Sequence, residues 1–85
     1  MKYHFSKHCT EEIERRNLKK ELIEQVLQSP EQKTAESGNI TCLQSRLKIG
    51  EKHYLLRVMV NETVDPPVVV TVYRTTKITK YWRKL

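Results

Sequence analysis

Apolar residues recur at helical spacing early in the chain and alternate one by one later on. That pattern predicts helices first and a sheet second. Leu18, Leu22, Ile23, Val26 and Leu27 fall on one face of a helix over about 19–28, with Lys19, Lys20, Glu21, Glu24 and Gln25 outside. Ser29-Pro30 ends it. Ahead of it, Cys9 and Ile13 stand on the inner side of a shorter helix that Ser6 or Thr10 can cap. Glu11, Glu12 and Glu14 suit its positive first turns, and Asn17 is a left-handed stop. Tyr3–Phe5 reads as a short leading strand.

Strands follow. Leu43, Leu47 and Ile49 alternate with Cys42, Gln44, Arg46 and Lys48, and Gly50-Glu51 makes a tight turn with glycine first. The next strand puts Tyr54, Leu56, Val58 and Val60 on one face, and His53, Leu55, Arg57 and Met59 on the other. After a polar loop, Val68, Val70, Val72 and Arg74 alternate with Val69, Thr71, Tyr73 and Thr75. A weaker strand is expected around Gln32–Glu36. The expectation is one α+β domain over residues 1–85. Two N-terminal helices pack on one face of an antiparallel sheet of about four strands, because short connections favour antiparallel neighbours. The opposite face, carrying Arg57, Thr71 and Tyr73, reads as half-exposed with a polar centre.

Charge changes the picture. The chain of 85 residues carries a net charge of +6. Residues 1–40 hold seven Lys/Arg and seven Glu, whereas residues 41–85 hold nine Lys/Arg and three acids, so the whole excess lies in the second half. A one-sided positive field attracts phosphates. The two cysteines fit no metal or redox spacing and point to a reduced, cytoplasmic setting. No run approaches the ~18 apolar residues of a membrane span, and the start has no signal-peptide pattern. No cofactor is expected: the two glycines form no phosphate loop, and His4 and His8 have no third ligand at suitable spacing.

What remains is arginine, tyrosine and a few histidines. Metal-free RNA cleavage needs a base for the 2′-hydroxyl, an acid for the leaving oxygen and cations for the phosphorane. Arg57 and Arg74 are the candidate phosphate clamp, and Tyr73 and His8 the candidate proton carriers, with His53 a further one. Arg16, Arg46, Thr71, Lys77, Lys80 and Arg83 are candidate RNA contacts, and Tyr81 and Trp82 can stack on bases. Each also has a plain structural reading. His8 can pack at a helix start, Arg57 can pair with a helix Glu, and Trp82 can close the edge of the core.

Several segments together resemble a bacterial family of domains of unknown function. "FSKHCTEEIERRNL" is similar to its His-led helical opening, "ELIEQVLQSPE" to its second helix, and "HYLLRVMV" and "VVVTVYRTTKITKYW" to its Arg-bearing and final strands. His8, Arg16, Arg57, Thr71 and Tyr73 match motif positions. Glu12 stands where the pattern has Arg, Cys9 where it has Ala and Asn17 where it has Gly. That family is grouped with RelE/ParE-like toxins, BrnT among them. The resemblance implies a RelE-like fold, a toxin acting as a metal-independent endoribonuclease, RNA as target and a small cognate antitoxin as partner. A non-catalytic basic module for nucleic acid or protein, and a ParE-like gyrase inhibitor, are the alternatives.

Overall fold

The computed structural model describes residues 2–84. The order is β1 (His4–Phe5), α1 (Lys7–Arg15), α2 (Lys20–Gln28), β2 (Gln32–Ala35), β3 (Ile40–Ile49), β4 (Lys52–Asn61), β5 (Val68–Thr75) and α3 (Ile78–Tyr81). The α+β class holds, but the sheet is larger than expected and mixed. Its five strands run β1-β5-β4-β3-β2, and β1 lies parallel to β5. The short leading strand expected at Tyr3–Phe5 is present as His4–Phe5; that it joins the sheet, parallel to β5, was not expected, since a parallel partner needs no hairpin signal. The third helix, a single turn after β5, has no amphipathic repeat to announce it. No helix among the described residues is long and apolar enough to cross a membrane.

Local chemistry sets the helix ends. Ser6 caps α1, its hydroxyl accepting from the Cys9 backbone N–H at 3.0 Å. The helix therefore begins at Lys7, and Glu11 and Glu12 fall beyond the first turn where they were expected. Asn17 takes the left-handed conformation, φ 53°, and turns the chain toward α2. Gly50 at φ 61° opens the β3–β4 hairpin, the conformation a glycine-first turn requires.

The core lies between the helices and one face of the sheet. Cys9, Ile23 and Val26 from the helices meet Leu43, Leu56, Val58, Val60, Val69 and Val72 from the strands. Burial of this set is the main stabilising contribution, roughly 1.5–3 kcal/mol for each large apolar side chain. One expected face is corrected. Val69, not Val68 or Val70, packs in the core with Val72. The cause is a β-bulge: Met59 pairs with Thr71 but Val60 pairs with Val69, so Val70 is the extra residue and the alternation shifts there.

Candidate functional site

Arg57 and Tyr73 are paired opposite each other on β4 and β5, on the sheet face away from α1 and α2. The Arg57 guanidinium donates from one terminal nitrogen to the Tyr73 hydroxyl at 2.7 Å, from Nε to Gln44 Oε1 at 2.9 Å, and from the other terminal nitrogen toward Glu36 Oε1 at 3.4 Å. The planar fork of arginine can serve three acceptors in fixed directions, which lysine cannot do. Burial works against the Arg57 charge. The Tyr73 hydrogen bond, with the neighbouring Cys42 and Tyr73 groups and lastly the Glu36 carboxylate, outweighs it and leaves the pKa raised. Burial also pushes the Tyr73 phenol up, more than Arg57 pulls it down. Tyr73 is therefore a protonated phenol at neutral pH, with its oxygen held from behind.

Arg57 is only 5% exposed, which corrects its expected role as an open phosphate clamp. The chain after β5 folds back over it. Gln44 Nε2 donates to the Tyr81 carbonyl at 3.2 Å, and Gln32 both donates to the Arg83 carbonyl at 2.6 Å and accepts from the Arg83 N–H at 3.1 Å. The Tyr81 ring centre lies 4.4 Å from the Arg57 guanidinium and meets Tyr73 edge-on at 6.4 Å. The Trp82 ring lies 4.2 Å from the Arg46 guanidinium, which also pairs with Glu31. Both aromatics expected to stack on bases are thus engaged with cations of their own chain.

Arg74 is the partner of Leu56, so its side chain leaves the sheet on the helix side, opposite to Arg57. It stacks on Tyr54 at 4.9 Å. The two arginines expected to clamp one phosphate are separated by the sheet. Arg74 nonetheless meets Tyr73 at another place. β1 covers β5 only at Val68 and Val69, so among the described residues the β5 edge beyond the bulge has no strand beside it. There Arg16, Leu18, Thr71, Tyr73 and Arg74 line an open hollow of about 520 Å³. Arg16 donates to the Val72 carbonyl at 3.3 Å and fixes the end of α1 against that edge.

Glu12 was the departure that reversed a charge beside this region. It is caged rather than free: Arg15 pairs with it at 2.6 Å and Arg16 at 2.9 Å. The Arg15 hydrogen bond holds the Glu12 carboxyl below its ordinary value, with Arg16 and His8 adding to that pull against burial. The cluster of Glu12, Arg15 and Arg16 keeps one net positive charge.

The hollow brings together Arg16, Thr71, Tyr73 and Arg74. His8 is exposed at the opposite end of α1, about 12 Å along the helix from Arg16 at 1.5 Å per residue. His53 is exposed near the β3–β4 turn, and Lys77, Lys80 and Arg83 are exposed around α3. Sequence reasoning missed Gln32, Glu36 and Gln44, the groups that fix Arg57 and the returning chain. One signal pointed to Gln44: a two-residue turn at Gly50-Glu51 pairs Ile49 with Lys52 and, counted back along both strands, Gln44 with Arg57.

Residues 5–74 match the family model described as Domain of unknown function (DUF4258). Neither a curated protein nor a solved structure matches the chain.

Proposed function

The chain belongs to the DUF4258 family of domains of unknown function, and on that footing we propose that it is the toxin of a bacterial toxin–antitoxin pair, a RelE/ParE-like, BrnT-related endoribonuclease that cleaves RNA without a metal. The observation that carries the reading is the single hollow shared by Arg16, Thr71, Tyr73 and Arg74. Arg74 on its wall can meet a phosphate bidentately, and Arg16 can add its remaining terminal N–H, since its Nε serves Glu12 and its other terminal nitrogen Val72. The phenol beside them is protonated and is backed by a buried guanidinium.

In this reaction the 2′-oxygen attacks the adjacent phosphorus and the bond to the 5′-oxygen breaks. Tyr73 gives its proton to that leaving oxygen. The phenolate left behind keeps the Arg57 hydrogen bond, which stabilises it until solvent returns the proton. Arg16 and Arg74 face the charge that builds on the phosphorane oxygens. Water at the open side of the hollow takes the proton of the 2′-hydroxyl. Lys77 and Lys80, exposed around α3, would hold flanking nucleotides by their charge, whereas His8 lies at the far end of α1, away from the hollow.

Purified protein incubated with RNA in EDTA should yield 2′,3′-cyclic phosphate and 5′-hydroxyl ends. Tyr73→Phe should slow the reaction by about 10²–10⁴, the usual contribution of a positioned acid. Intact RNA, or cleavage unchanged in Tyr73→Phe, would overturn this reading. One observation favours a non-catalytic module instead: among the described residues neither a carboxylate nor an imidazole lines the hollow. Salt-sensitive binding with no product selects that alternative. Growth arrest with DNA damage and intact RNA selects gyrase as the target.

A further inference from the structure

The β3–β4 hairpin overhangs the rest of the sheet. β2 pairs with β3 only as far as Gln44, and β5 pairs with β4 only as far as Leu55. Beyond those points, among the described residues, Leu47, Ile49 and Tyr54 lie on a two-stranded ribbon with no third strand on either side. A bare ribbon is marginal in water, so its apolar face needs a cover. The start of α2 supplies part of one. Leu18, Leu22 and Ile23 lie on one wall, Leu47 and Ile49 on the other, with Leu56 also lining the groove, whose volume is about 500 Å³. The cover is incomplete: Ile49 stays 38% exposed, and Leu18, Leu22 and Leu47 are only partly buried. Apolar surface left open along a groove marks a contact site.

The charged side chains that line this groove have one sign. Lys19 and Arg74 line it, and Lys52 is paired with Ile49 on the same ribbon. Among the described residues, no carboxylate lines it. Among the described residues Lys19, Lys52 and Arg74 enter no salt bridge. A second copy of this chain would bring those cations against themselves, with a net +6 on each molecule. The complement is an apolar ridge flanked by carboxylates.

We propose that the groove between the start of α2 and the overhanging hairpin receives an acidic amphipathic segment of a different protein. Its apolar side chains fill the space between Leu22 and Ile49, and its carboxylates meet Lys19 and Arg74. The site does not need the RNA reading: Leu22, Ile23, Leu47, Ile49 and Leu56 lie outside the Tyr73 hollow, and only Leu18 and Arg74 are shared with it.

The test uses the full chain and a fluorescein-labelled peptide of roughly 15 residues, with Leu at helical spacing and Glu elsewhere. Two control peptides replace Glu by Lys, or Leu by Ser. The Leu/Glu peptide should bind saturably and shift the methyl resonances of Leu22, Leu47 and Ile49. Ile49→Ser and Lys19→Glu should each weaken it by about tenfold or more, while circular dichroism reports an unchanged fold. The proposal is overturned by no saturable binding, by equal binding of either control peptide, by shifts outside the groove, or by unchanged affinity in Ile49→Ser. Sedimentation showing a dimer whose groove methyls are shielded would assign the surface to a second copy and overturn it too.

Discussion

Arg57 and Tyr73 hold each other at 2.7 Å across the middle of the sheet, with the arginine buried and the tyrosine reaching an open edge. Arg57 is therefore a positioning residue whose loss is felt first as lost stability. Arg57→Ala leaves buried Gln44 Oε1 with only the weak Cys42 thiol donor and uncouples Glu36 and Tyr81. The expected destabilisation is on the order of 2–4 kcal/mol, read as a lower urea midpoint. Arg57→Lys should recover only part of it, because an ammonium cannot reach three acceptors in one plane. A midpoint unchanged in Arg57→Ala would show that the returning chain does not need its cation.

The cage around Glu12 sets an acid limit. Arg15 and Arg16 hold the carboxyl below its ordinary value, so the folded state binds fewer protons than the unfolded one. Its stabilisation is complete above the unfolded carboxylate pKa, about 4.3, and fades as pH falls through the folded value. Glu31, held down by the Arg46 hydrogen bond, acts in the same direction. Urea midpoints should fall as pH is lowered from about 5 to about 3, and Glu12→Gln should flatten that decline. Parallel profiles for the two proteins would remove Glu12 as the cause.

The bulge separates two neighbouring valines. Val69 is wholly buried in the core, and Val70 is the unpaired residue beside it. Val69→Thr puts a hydroxyl into an apolar site and should cost about 1–3 kcal/mol. Val70→Thr should change thermal stability far less. Equal losses would mean that the strand keeps a regular alternation.

Cys9 and Cys42 are buried on opposite sides of the sheet, Cys9 in the helix-side core and Cys42 beside Gln44. Burial pushes both thiols up from their ordinary value. Neither should react with an aromatic disulfide reagent in native protein, and both should react promptly in urea, since the thiolate is the reactive form. Rapid native labelling of either thiol would show that its cover opens readily.

Much of the frame was legible because it rests on local rules. The helical face of Leu22, Ile23, Val26 and Leu27, the stop at Asn17 and the turn at Gly50 follow from periodicity and backbone preference. They place Arg57 and Tyr73 on one face. The bulge was not legible, as nothing in "VVVTV" marks which valine is supernumerary. The burial of Arg57 was hidden for another reason. It depends on residues 78–83 returning across the sheet, a long-range contact fixed by two glutamine amides and two ring–cation stacks. Such groups leave no hydrophobic period to read. The hollow at the β5 edge was missed because Arg16 and Arg74 come from opposite ends of the chain, Tyr73 and Arg74 from different faces of the strand, and all meet only where the sheet stops.

Arg74 borders both concavities, the hollow with Tyr73 and the groove over the hairpin. One guanidinium cannot satisfy a phosphate and a carboxylate at full strength together. A guest on either side depletes the charge available to the other, and thermodynamic reciprocity makes the two penalties equal. A protein seated on the hairpin would then restrain RNA binding at a distance of one side chain, with no movement of the backbone.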